Sequence, residues 1–182
     1  MITLNKDAFS SGQLGSKLWL VETLEKYFDS IDSISIYGGW YAVTAFLLLT
    51  RNNIKINKIK SIDIDPDCET IADALNEFYV WQDWKFKAYT ADCNKMLYEP
   101  VDLVINTSTE HFESTAWFDN IPEGTCVALQ GNNMIHDDHY SHFKSLAQFK
   151  KTYKLQEYLF VGEQEFTYPD WSFTRYMCIG TK

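Results

Sequence analysis

Positive charge is scarce in this chain of 182 residues: 16 lysines and arginines stand against 25 aspartates and glutamates, a formal net charge of −9. General nucleic-acid binding needs the opposite balance, because phosphates must be neutralised, so that class is set aside. Lys144, Lys150, Lys151 and Lys154 form the nearest thing to a basic patch, and they suit a helix end that complements its dipole. Cysteine is sparse too. Cys68, Cys93, Cys126 and Cys178 are scattered, make no Cys-x-x-Cys, and lie in or beside apolar runs. Buried thiols in a reducing compartment follow. Long hydrophobic runs are absent: the longest, Tyr41 to Leu49, falls far short of the ~20 residues a bilayer demands. Lys6 and Asp7 stand where a secretory signal would be apolar. A soluble, cytoplasmic protein without membrane contact is expected. Repeats, low-complexity tracts and Pro/Gly/Ser linkers are also missing. That argues for a single compact domain, with residues 1–30 as an N-terminal cap segment and helix in front of a body over 31–182.

What the chain does have is apolar content of 46% and aromatic content of 16%, enough to bury a core in a chain of this size. From Leu14 the residues Leu18, Val21, Leu24 and Phe28 recur at helical spacing. Strand patterns cover Ser33–Tyr37, Lys58–Asp63, Trp84–Tyr89, Val101–Asn106 and Thr125–Gln130. Helices are expected over Tyr41–Arg51, over Pro66–Phe78 with Ile71, Leu75 and Phe78 inward, and over His139–Phe149. The last two strands, Tyr153–Phe160 and Phe173–Ile179, are joined by a short turn and pair antiparallel. The sum is a three-layer α/β domain. Its seven-stranded sheet is Rossmann-like and mostly parallel, with one antiparallel strand near the C-terminus.

Chemistry concentrates where strands end. Ser33-Ile-Ser-Ile-Tyr-Gly38-Gly39-Trp40 is a β-branched strand that closes on paired glycines before a helix, and the next strand ends at Asp63 and Asp65. Glycines let a backbone approach a nucleoside cofactor, and a carboxylate at that separation can take its ribose hydroxyls. Asp65 followed by Pro66 also reads as a helix N-cap. After the fourth strand comes Asn106-Thr-Ser-Thr-Glu110-His111. Glu110 and His111 are the candidates for general base and orienting group, since an imidazole titrates near neutrality. The same residues also suit a helix N-terminus. Gln13 and Lys17, one helical turn apart, either fold over the pocket or solvate a helix face. The His136-Asp-Asp-His139 run with His142 has spacing that metal sites use. A solvated loop and helix start accounts for it, and no metal centre is expected; because the loop follows the fifth strand, substrate contact is the better functional reading than zinc.

This order of elements resembles the class I S-adenosylmethionine-dependent methyltransferases from Ser33 to Lys182. Ile36-Tyr-Gly-Gly-Trp40 is similar to the family's glycine-rich first loop, with two glycines where three are usual. Ser61-Ile-Asp63-Ile-Asp65 is similar to its ribose motif, and Thr90-Ala-Asp92-Cys93 to its adenine motif. Asn106 to His111 falls at the substrate-facing loop. The elements SGQ…SKLW, YGGW and NTS-x-EH further resemble a phage-type group of methyltransferase-like proteins. The resemblance implies S-adenosylmethionine as cofactor, held by Gly38, Gly39, Trp40, Asp63, Asp65, Asp92, Cys93, Asn106 and Ser108. Glu110 and His111 would be catalytic. Gln13, Lys17, Tyr41 and Trp117 would meet the acceptor, with Trp40, Tyr41 and Trp117 able to face the sulfonium through cation–π attraction. The acceptor would be a small molecule or a protein. Two other readings stay open: cleavage or transfer of another part of the cofactor, and binding without catalysis.

Overall fold

The structure, a computed structural model, describes residues 4–182. A 3₁₀ turn, Lys6–Phe9, leads through Ser10 into helix α1, Ser11–Leu24, where the Ser10 hydroxyl accepts from the Gln13 amide. Strand β1 (Ser30–Tyr37) and helix α2 (Val43–Arg51) follow, then β2 (Lys55–Asp63) and α3 (Pro66–Leu75). Asp65 caps α3, accepting from the Asp67 amide at 3.0 Å, with Pro66 in the first turn. The helix expected to reach Phe78 stops at Asn76, whose buried amide bonds back to the Ala72 carbonyl. A separate turn, α4 (Glu77–Val80), leaves Phe78 68% exposed and not inward.

Strands β3 (Phe86–Thr90) and β4 (Leu103–Asn106), the short helix α5 (Ala116–Asp119) and β5 (Cys126–Asn132) complete the parallel part. Helix α6 is Leu146–Thr152, capped by Ser145. The helix expected from His139 does not form, because neighbours claim the backbone of that stretch. Tyr140 and Ser141 donate to the Glu110 carbonyl, and Phe143 donates to the Asn132 carbonyl. Strands β6 (Glu157–Thr167) and β7 (Ser172–Thr181) form the closing hairpin. Tyr153, expected in the first of these strands, instead ends α6 and packs among aromatic rings.

The sheet order is β3-β2-β1-β4-β5-β7-β6. Strands β1 to β5 are parallel where they pair, and β7 runs against both its neighbours, so it is the single reversed strand. Period-two alternation sorts side chains to two cores. Ile34, Ile36, Leu103, Ile105, Met177 and Ile179 join Leu20, Val21 and Leu24 of α1 and Leu48 of α2 on one face. Val104, Val127, Leu129, Tyr176 and Cys178 join Trp117, Phe118 and Phe149 on the other. Helix α1 therefore shares its core with the sheet. Chain order reverses between β1 and β4, which opens a crevice at their carboxyl ends. No helix among the described residues is long and apolar enough to cross a membrane.

Candidate functional site

A cavity of about 810 Å³ lies at that crevice. The turn after β1 forms its floor and is left-handed three times over, at Gly38 (φ +63°), Trp40 (+50°) and Ala42 (+55°). Only glycine adopts this freely, and side chains at Trp40 and Ala42 hold it at a cost met by surrounding contacts. The Trp40 amide donates to Asp63 Oδ2 at 2.7 Å, and the Asp65 amide to Asp63 Oδ1 at 3.1 Å. Each Asp63 oxygen thus keeps acceptor capacity on the cavity side. Ser108 donates to the Gly38 carbonyl at 2.8 Å and ties the loop after β4 to the glycine turn. Gly39 meets β2: a Cβ there would stand 2.0 Å from Ser61 Oγ, so its small size serves strand packing before any ligand. Asp92 and Cys93 line the far wall. Lys95 and the Asn94 amide hold the Asp92 carboxyl below its usual range, while burial pushes the Cys93 thiol up to about 12.

The opposite end is built differently. Glu110, 2% exposed, receives Arg175 from β7 at 3.3 Å and the Asn132 side-chain amide from β5 on the same oxygen, Oε1. Arg175, itself buried, also donates to the Thr107 carbonyl at 3.0 Å. Glu110 Oε2 is buried without a hydrogen-bond partner among the described residues. Lys17 reaches in from α1 and donates to Gln13 Oε1 at 2.5 Å. Burial, then the Arg175 guanidinium, brings its ammonium down to about 7. His111 and His139 meet edge to face with ring centres 4.7 Å apart. Burial lowers the His139 pKa. Tyr168, Trp171 and Phe173 of the closing hairpin stack nearly parallel along one wall, Tyr168 and Trp171 at 4.4 Å.

Gln13, Lys17, Gly38, Gly39, Trp40, Asp63, Asp92, Cys93, Ser108, Glu110 and His111, singled out from sequence, all line this one cavity. Four others do not. Trp117 is fully buried among Tyr37, Phe112, Phe118 and Tyr153, so it meets no acceptor. Tyr41 is buried beneath the turn, its hydroxyl accepting from the Asn5 amide at 3.2 Å. Asp65 is spent on the α3 cap. Asn106 is buried and accepts from the Ser108 amide at 2.9 Å, shaping the loop from below. His136 and His139, from the run noted after the fifth strand, line the cavity as well. Sequence reading missed Arg175, Asn132, Phe112 and the hairpin aromatics. Arg175 left a usable signal, being the one charged residue in Phe173–Ile179.

No family model matches the sequence, and no curated protein is similar to it. Solved structures are similar in fold. The N-methyltransferase NodS of Bradyrhizobium japonicum, in complex with S-adenosyl-L-homocysteine, superposes with a TM-score of 0.69 at 10% identity, covering 93% of this chain and 88% of that one. Magnesium protoporphyrin IX methyltransferase of Synechocystis, also with S-adenosylhomocysteine, gives 0.66 at 12% identity over 97% and 88%. Phosphoethanolamine N-methyltransferase 2 of Haemonchus contortus, with S-adenosyl-L-methionine, gives 0.62 at 10% identity over 96% and 58%. At such identities the likeness speaks for architecture: this chain has the fold of class I S-adenosylmethionine-dependent methyltransferases.

Proposed function

We propose that the cavity binds S-adenosylmethionine and that the protein transfers its methyl group to an acceptor nitrogen or oxygen. The observation that carries this reading is the Asp63 carboxylate, fixed by the Trp40 amide and facing the cavity at the crevice where the sheet's order reverses. In this reading Asp63 takes the ribose hydroxyls, the Gly38–Trp40 backbone runs along the methionine portion, and Asp92 with Cys93 borders the adenine. These residues fit the group, since the carboxylate retains acceptor capacity and the volume suits a cofactor-sized ligand. A sulfonium when bound supplies an electrophilic methyl, so the chain's own task is to align an acceptor and shed its proton.

The acceptor belongs at the other end, between Lys17, Glu110, His111 and the Tyr168–Trp171–Phe173 wall. Stacked rings beside the Lys17 amine and the Arg175–Glu110 ion pair favour a planar acceptor. The protein works in solution without membrane attachment in this account. Incubation with methyl-labelled S-adenosylmethionine and fractionated small-molecule or protein extracts tests it. Labelled acceptor together with S-adenosylhomocysteine is the expected result. Accumulation of methylthioadenosine would instead mean that another part of the cofactor is transferred or cleaved, and binding without turnover would make the protein a non-catalytic module.

A further inference from the structure

At the acceptor end of the cavity, Glu110 and His111, which flank the acceptor in the methyl-transfer reading, form a further set with His139, which that reading does not use. One carboxylate oxygen of Glu110 and one ring nitrogen each of His111 and His139 lie within 4.8 Å of one another. They come from the turn after β4 and the loop after β5, which the Glu110 carbonyl binds together through the Tyr140 and Ser141 amides at 2.9 and 3.2 Å. Glu110 Oε1 is taken by Arg175 and Asn132, which leaves Oε2, buried and without a hydrogen-bond partner among the described residues. The carboxylate's charge is met by Arg175, but an oxygen so placed still calls for a partner, which a hydrogen-bond donor or a cation would supply.

Both imidazoles are held in one orientation. His111 Nδ1 lies 3.1 Å from the Asp138 carbonyl, and His139 Nδ1 lies 3.0 Å from the Met134 carbonyl. A carbonyl only accepts, so each ring donates from Nδ1, and in the neutral imidazole Nε2 is then the nitrogen with a lone pair to offer. Metal-ligating histidines are oriented by this same kind of bond, and ligating carboxylates are themselves held by hydrogen bonds, as Asn132 and Arg175 hold Glu110.

We propose that Glu110, His111 and His139 form a binding site for a divalent transition-metal cation at the acceptor end of the cavity. Two imidazoles and a carboxylate suit zinc or cobalt and leave a position open toward the cavity. Magnesium and calcium favour all-oxygen shells. Ligand distances of about 2.0–2.2 Å require the three groups to draw together, and both histidines stand on connecting segments, not on strands. All three residues line the end of the cavity assigned to the acceptor, where a cation would bind and acidify a hydroxyl.

The site does not depend on the cofactor, and its test does not either. Chelator-treated full-length protein is titrated with Co²⁺ and followed by calorimetry and visible absorption. One equivalent should bind, without thiolate charge-transfer bands, and His139→Ala and His111→Ala should each weaken binding by about tenfold to a hundredfold. Because Glu110 sits in a buried ion pair, the histidine variants carry the test, and circular dichroism checks their fold. Absence of stoichiometric binding, or binding unchanged in both variants, overturns the proposal. Thiolate bands would assign the cation to cysteine and overturn it equally. A parallel titration of the chelated protein with S-adenosylhomocysteine reports on the cofactor reading separately, so either can fail alone.

Discussion

The two ends of one cavity are made by different means. The Gly38–Asp63–Asp92 end is assembled from backbone turns at the tips of adjacent parallel strands, and its carboxylates are partly open to water. The Lys17–Glu110–Arg175 end gathers charged side chains from α1, the loop after β4 and the reversed strand β7, and buries them. Local turns can be rebuilt at modest energetic cost, whereas buried charges depend on each other. Substitutions should therefore act mainly on ligand affinity at the first end and on folding at the second.

The largest expected effect breaks the second end. Arg175→Met strands the Glu110 carboxylate in the interior and should lower unfolding free energy by about 3–5 kcal/mol. Urea denaturation measures it, and adding Glu110→Gln should recover much of the loss. If the single variant is as stable as the wild type, the pair is not a structural unit.

Lys17 should respond in the opposite direction. Unfolded, its amine holds a proton up to a pKa of about 10.5; folded, only up to about 7. Between those values the unfolded state binds more protons, so this group's penalty is full below pH 7 and fades as pH rises toward 10.5. In chelated protein, Lys17→Met should thus stabilise by a few kcal/mol at pH 6 and by much less at pH 10. A gain that does not vary with pH would contradict a buried, titrating amine.

At the first end, Gly39→Ala is the expected exception, because this glycine packs against β2. A Cβ 2.0 Å from Ser61 Oγ makes that hydroxyl or the turn itself shift, and about 1–3 kcal/mol should be lost. Ser61→Ala in the same chain should restore most of it, because the nearest remaining Ser61 atom, Cβ, is 3.3 Å away. Recovery in thermal melts, with no recovery expected from changes elsewhere on the turn, separates strand packing from ligand contact.

What could be read from sequence follows the same division. Strand–turn–helix units carry their signals locally, in β-branched runs, paired glycines and an Asp-Pro cap, so the parallel sheet, its reversed strand and the first end of the cavity were legible. Boundaries suffered where a distant partner intervened. Asn76 stops α3 through its own side chain, and the His139–Ser145 stretch stays irregular because Glu110 and Asn132 claim its backbone. The second end was half legible. Glu110 stood out, but the meeting of His111 with His139 exists only once β4 and β5 are adjacent, and the binding of Glu110 to Arg175 across 65 residues only once β7 has joined β5. Trp117 and Tyr41 misled for another reason: an aromatic residue near a motif reads the same whether it walls a pocket or fills a core.

The central claim is that Asp63 holds an adenosyl cofactor in this cavity. Calorimetric titration of the wild type and of Asp63→Ala with S-adenosylhomocysteine tests it most directly. The wild type should bind one equivalent, and the variant, checked to be folded, should bind roughly thirtyfold to a thousandfold more weakly, a loss of about 2–4 kcal/mol. Equal affinity in the two proteins, or no binding by the wild type, would contradict the account.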